Sequence, residues 1–161
     1  MDEFKRILVP LDGSSLAEKA LPLATTMARK FNSQIFLLRV LDISAMTVPT
    51  WHLEAPPDWV VESRKHAHEE VENYLKARQN ELREQGFEVH SVLRGTSPAE
   101  DILEIATAKD IDLIVMSTHG RGGLARWALG SVADKVMRHS HCPVLLVRQN
   151  EEVNKNETRI G

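Results

Sequence analysis

The chain has little of what marks a specialised protein class. Its 161 residues include one cysteine, Cys142, so no internal disulfide forms and a cystine scaffold is excluded; the expected compartment is the reducing cytoplasm. No apolar stretch approaches the roughly 18 residues of a membrane-spanning helix. The first apolar run begins after six residues and is broken at Pro10, too short for a secretory signal. Neither sign of charge dominates: 20 Lys plus Arg stand against 23 Asp plus Glu, a net charge of −3, which argues against a dedicated binder of nucleic-acid polymers or anionic membranes. Aromatic residues make up only 5%, and glycine is sparse at eight residues. What is present is 42% hydrophobic and 27% charged residues, the balance of an ordinary globular domain. One domain is expected, large enough to bury a core without a structural metal. The glycines are not evenly spread: four of them fall between residues 120 and 130.

Elements alternate along the chain. Ile7-Leu8-Val9 reads as a short buried strand, stopped near Pro10 and followed by the turn Asp12-Gly13-Ser14-Ser15. Leu16, Ala20, Leu23, Met27 and Phe31 recur at helical spacing, which predicts a helix over 16–30 with those residues inward, closed by Asn32-Ser33. Gln34 to Leu41 is nearly all apolar with only Arg39 charged, a strand buried on both faces. Residues 42–58, with Pro49, Pro56 and Pro57, read as a long loop or lid in which Trp51 and Trp59 supply packing capacity. A long helix follows, with Val60, Ala67, Val71, Tyr74, Leu75, Arg78 and Leu82 on its inner stripe and Gly86 at its end. Phe87–Leu93 alternates as a strand. Ser97-Pro98-Ala99-Glu100 spells an N-cap, a proline at the first helical position and a capping box. Ile111–Met116 is the next strand, 117–130 a glycine-rich loop, Ser131–His139 a short helix and Val144–Val147 a last strand launched by Pro143. Residues 149–161 are polar and are expected to form a flexible tail behind a domain of residues 1–148.

Five strands interleaved with four helices predict a parallel sheet covered on both faces. Ligands of such sheets sit beyond the carboxyl ends of the strands. Two strand ends carry suitable groups. Asp12 stands just past the first strand, where a carboxylate can hold a sugar hydroxyl or a metal, or can simply cap the following helix. Ser117-Thr118-His119-Gly120-Arg121-Gly122-Gly123 leads to Gly130-Ser131-Val132 at a helix start, where close backbone approach and unpaired N–H groups suit phosphate; the competing reading is a flexible connection. The spacing is not that of the ATPase P-loop or of the dinucleotide fingerprint.

Other groups attract attention without making a site. His66 and His68 lie two apart on a helix and face different ways, so they are not a metal pair. His139, His141 and Cys142 sit at a helix-to-strand junction, where His139 meets the helix dipole and Cys142 is read as a small buried residue. A phosphoacceptor receiver domain is disfavoured, because Arg94-Gly95 stands where its aspartate belongs.

The chain resembles the universal stress protein family from Arg6 to Arg148. The residues that carry the resemblance are Ile7-Leu8-Val9-Pro10-Leu11-Asp12-Gly13-Ser14, Asp112 through Gly120, Gly130-Ser131-Val132 and Cys142-Pro143-Val144-Leu145-Leu146-Val147. Nucleotide-binding members show glycine, two residues, glycine, nine residues, then glycine with Ser or Thr. Gly120 and Gly130-Ser131 match this, while Ser117 replaces the first glycine. The resemblance implies a three-layer, Rossmann-like doubly wound sheet of order 3-2-1-4-5. It also implies a pocket for ATP or AMP, with Mg²⁺ accompanying ATP. Pro10, Leu11 and Asp12 would border the adenosine, with Asp12 on the ribose or the metal; Val40 would line the adenine slot, and Met116 and Ser117 the base and sugar. Gly120 and the backbone of Gly130, Ser131 and Val132 would hold phosphates, with His119 and Arg121 beside them. A homodimer through Val144, Leu145, Leu146 and Val147 is implied as well. Any ATP hydrolysis would be slow, and no catalytic residue is assigned. The alternative is a stress-linked protein-interaction module that uses the fold only as a scaffold.

Overall fold

The computed structural model describes residues 4–40, 57–118 and 129–148. Five strands, β1 (Arg6–Leu11), β2 (Gln34–Val40), β3 (Val89–Arg94), β4 (Leu113–Ser117) and β5 (Val144–Val147), form one parallel sheet in the order β3-β2-β1-β4-β5. The helices are α1 (Ser15–Glu18), α2 (Ala20–Phe31), α3 (Asp58–Glu84), α4 (Pro98–Ala108) and α5 (Ser131–His139). Side-chain alternation splits the core in two. Ile7, Val9, Leu11, Ile35, Leu37, Leu113 and Val115 face α1, α2 and α3; Leu8, Phe36, Leu38, Ile114 and Met116 face α4 and α5. Strands covered on both sides must be apolar at every position, which is why they read as continuous runs rather than alternating ones. At the amino-terminal edge Asp112 Oδ2 accepts the backbone N–H groups of Lys5 and Arg6 at 3.0 and 2.9 Å, tying β1 to the start of β4.

The expected first helix is divided. Pro22 has no N–H with which to reach the carbonyl of Glu18, so the chain makes one turn, α1, breaks at Lys19 and restarts as α2. The inward stripe agrees with expectation at Ala20 and otherwise differs: Ala17, Ala24 and Ala28 are buried as well, whereas Leu16, Leu23, Met27 and Phe31 are only partly so. Small side chains let α2 lie close on the sheet, and the larger ones fill its flanks. Asn32 closes α2 in the left-handed region at φ 52°, which asparagine tolerates.

Three further expectations are corrected. β3 begins at Val89, not Phe87, because the Phe87 N–H is spent on Leu82 O at 3.1 Å in closing α3 over Gly86, whose φ is +88°. Ser97 is the N-cap of α4 and Pro98 its first residue, but the capping box does not form. Glu100 instead meets Lys135 at 2.8 Å, and the buried carboxylate of Asp101 takes the N–H and hydroxyl of Thr96 at 3.1 and 2.6 Å. Trp59 does not pack inward; it is 61% exposed at the start of α3. The rest of the expected lid, the glycine loop from His119 to Ala128 and the expected tail lie outside the described residues. Among the described residues no helix is long and apolar enough to cross a membrane.

Candidate functional site

The sheet's strand order reverses between β1 and β4. Their ladder is Ile7↔Leu113 and Leu8↔Ile114, and it ends there, although β1 stays paired with β2 as far as Leu11↔Arg39 and β4 with β5 as far as Ser117↔Val147. Pro10, lacking an N–H, cannot donate to extend it. The last residues of β1 and β4 therefore flank a crevice at the carboxyl end of the sheet, the position where open parallel sheets take ligands.

On the β1 side the chain turns through Asp12, Gly13 and Ser14. Gly13 sits at φ 82°, a conformation that costs a side-chain-bearing residue on the order of 1 kcal/mol or more. Asp12 is half-buried, and its Oδ1 accepts the Ser14 N–H at 2.8 Å and the Ser14 hydroxyl at 2.5 Å. Ser14 is the N-cap of α1, accepting the Ala17 N–H at 3.1 Å. Asp12 is thus not the cap itself; it orients the cap, and its carboxylate is held at the mouth of the crevice.

On the β4 side Thr118 N–H donates to Val147 O at 3.1 Å, and Thr118 O accepts the N–H of Gly130 at 3.0 Å. These two bonds set the amino end of α5 beside the end of β4. Gly130 is the N-cap residue of α5. Its N–H is already committed to Thr118, so Gly130 can offer a ligand closeness but not a donor, a change from the phosphate role expected of its backbone. The N–H groups of Ser131 and Val132 lie in the first turn, which leaves its donors without intrahelical partners. Asp134, the acid of that first turn, is neutralised by Arg138, whose Nε lies 2.9 and 3.0 Å from its two carboxylate oxygens.

The remaining expected residues fall on different sides. Met116 and Val40 border the α4–α5 core together with Val132, Met116 being 6% exposed, and Pro10 is half-buried. The Leu11 side chain is committed to the opposite core under α1 and α2, and its carbonyl accepts Arg39 Nη1, so Leu11 turns away from the crevice. Ser117 and Thr118 are buried. His119, Gly120 and Arg121 lie outside the described residues. Val144, Leu145, Leu146 and Val147 form a half-buried strand at the edge of the sheet. Among the described residues no group of three His, Cys, Asp or Glu side chains could hold a metal, and Cys142 is half-buried beside Ser140.

Sequence reasoning missed a polar cluster beside the crevice. Arg39, buried on β2, donates from Nη1 to Leu11 O at 3.4 Å. The Tyr74 hydroxyl of α3 donates to Glu18 Oε1 of α1 at 2.7 Å. Burial first, then the hydrogen bond and charge of Glu18, raise the Tyr74 phenol well above its ordinary value, against smaller opposing contributions from Arg78 and Arg39. The one available signal was Arg39 itself, a charge inside an otherwise apolar strand, since a buried charge requires partners.

Known proteins share this fold. The model of the universal stress protein family matches residues 3–148. The universal stress protein MJ0531 of Methanocaldococcus jannaschii is 36% identical over 146 residues, covering 91% of this chain and 83% of that protein. The solved structure of MJ0577 from the same organism superposes with a TM-score of 0.81 at 30% identity, covering 93% of this chain and 99% of its own. A universal stress protein from Archaeoglobus fulgidus, solved in complex with dAMP, shares the fold with a TM-score of 0.60 at 22% identity, covering 90% and 98%. Matched by that family model over nearly its whole length, the chain belongs to the universal stress protein family.

Proposed function

We propose that the chain binds an adenine nucleotide, ATP or AMP, in the crevice between β1 and β4, and acts as a nucleotide-responsive regulator rather than a rapid enzyme. The observation that carries this reading is the ladder that stops at Leu8↔Ile114, with a held carboxylate on one side and a helix amino end on the other. Asp12 would meet the ribose, or Mg²⁺ when ATP is the ligand. Pro10, Val40 and Met116 offer apolar surface to the base. The first-turn N–H groups of α5, at Ser131 and Val132, favour phosphate oxygens through their unpaired donors and the helix dipole. By their sequence resemblance to the family, His119, Gly120 and Arg121 would join the proposed phosphate side. The A. fulgidus relative, which shares the fold, is in complex with dAMP, an adenine nucleotide. We also propose a homodimer joined through β5, the apolar edge strand of the sheet.

A thermal scan with ATP, AMP, GTP and no ligand tests the binding. At a hundred times its dissociation constant, a ligand of the native state adds ~2.7 kcal/mol of stability. ATP or AMP is expected to raise the melting temperature by several degrees and GTP by less. No shift with any adenine nucleotide overturns the reading. Gly130→Leu, which places a side chain at the amino end of α5, is expected to abolish the shift. The second reading, an interaction module without nucleotide, draws on Ser117, which brings a side chain to a position that is glycine in the nucleotide-binding pattern. Adenine nucleotide released on denaturing the purified protein decides against it.

A further inference from the structure

The Tyr74 cluster is not part of the proposed nucleotide contacts, yet its hydrogen bonds lead to them. α1 is a single turn of four residues, and so short a helix has no stability of its own. Its position is set by what holds its two ends. At the amino end, Asp12 Oδ1 accepts both the N–H and the hydroxyl of Ser14, and Ser14 Oγ accepts the Ala17 N–H at 3.1 Å. At the carboxyl end, Pro22 prevents α1 from running on into α2, and Glu18 accepts the Tyr74 hydroxyl at 2.7 Å. The two ends are joined across the turn by Glu18 N–H donating to Ser14 O at 3.3 Å. Beneath them Arg39 holds the carbonyl of Leu11, the residue before Asp12. A continuous series of hydrogen bonds therefore runs from α3, through α1, to the carboxylate at the mouth of the crevice.

We propose that Tyr74 and Glu18 are a positioning pair: by pinning α1 to α3 they fix the Ser14 cap and, through it, the Asp12 carboxylate, so that nucleotide affinity depends on a phenol that does not touch the nucleotide. The dependence of affinity rests on the nucleotide reading above; the ordering of α1 does not. Tyr74→Phe keeps the ring and removes one oxygen. Without nucleotide, the amides of Ser14 and Ala17 are expected to exchange about tenfold faster in Tyr74→Phe and Glu18→Ala, the loss of one part-buried hydrogen bond. Glu18→Gln, whose amide oxygen still accepts the phenol, is expected to restore slow exchange. With ATP, Tyr74→Phe is expected to weaken binding about three- to tenfold, by the same hydrogen-bond magnitude. That loss should vanish in an Asp12→Ala background, where nothing remains to be positioned. A purely structural tyrosine would lower the melting temperature in both backgrounds and leave the dissociation constant unchanged. Unaltered exchange at Ser14 and Ala17 overturns the pair whether or not nucleotide binds. Unaltered ATP affinity in Tyr74→Phe, against a clear loss in Asp12→Ala, overturns its role in binding. If the wild-type chain binds no adenine nucleotide, it is the nucleotide reading that fails, and exchange still decides whether the pair orders α1.

Discussion

Tyr74 is the chain's single tyrosine, so phenolate absorbance reports on it alone. Its folded-state ionisation lies above the unfolded value of about 10, because half-burial and the bond to Glu18 both favour the neutral hydroxyl. A raised folded-state value means that the associated stability is fully present below about pH 10 and is lost as pH rises through the folded-state ionisation. In an alkaline titration the native protein should show less phenolate at about pH 10 to 11 than the denatured chain, which titrates near 10; a native midpoint near 10 would contradict the half-buried hydrogen bond. Asp12, Gly13 and Ser14 announced a turn ahead of a helix and delivered one. Their partner at the far end of α1 was not legible. Fifty-six residues separate Glu18 from Tyr74, and no local pattern encodes a contact that exists only once α3 has docked on the sheet. The same holds for Glu100, which fitted the local motif but whose carboxylate found Lys135 on α5, leaving Asp101 as the buried acid at the head of α4.

At the scale of elements, periodicity placed the secondary structure well and its faces less well. α2 is the instructive case. A helical wheel favours the large apolar residues as the inner stripe, but a helix lying flat on a parallel sheet is limited by how near its backbone can come, and the residues at the line of contact are Ala20, Ala24 and Ala28. Ala24→Leu is therefore expected to destabilise the fold by roughly 1–3 kcal/mol through overpacking, despite adding apolar surface, with α2 lifted off β1 and β4. Urea denaturation with an unchanged slope and a lowered midpoint would show this. A neutral or stabilising result would mean that the leucine finds a void there. The break at Lys19 was written in the sequence as Pro22, three residues into the new helix, and the end of α3 as Gly86.

At the scale of the molecule, the described residues treat the two edges of the sheet differently. On β3 the outward carbonyl of Val89 accepts Gln79 Nε2 and Arg83 Nη2, both at 2.8 Å, so side chains of α3 cover the edge. Among the described residues none covers β5 in this way, and its four residues, Val144–Val147, are apolar and half-exposed. An open apolar edge invites another strand, and a charge placed on it blocks pairing. The proposed dimer is thus expected to sediment at twice the chain mass, and Val147→Lys at the chain mass with its circular dichroism unchanged; a wild-type monomer at micromolar concentration would dismiss the β5 interface. By itself the sequence determined the order and type of the elements, the layering they require and the two strand ends with usable chemistry, because apolar periodicity, proline, glycine and capping residues act over a few positions. Only the tertiary structure decided where the ladder between β1 and β4 stops, that Gly130 spends its N–H on Thr118, and that Tyr74 reaches Glu18. Those outcomes depend on which distant groups meet when the sheet closes, and the free energy of a buried hydrogen bond is settled by its partner rather than by its neighbours in the chain.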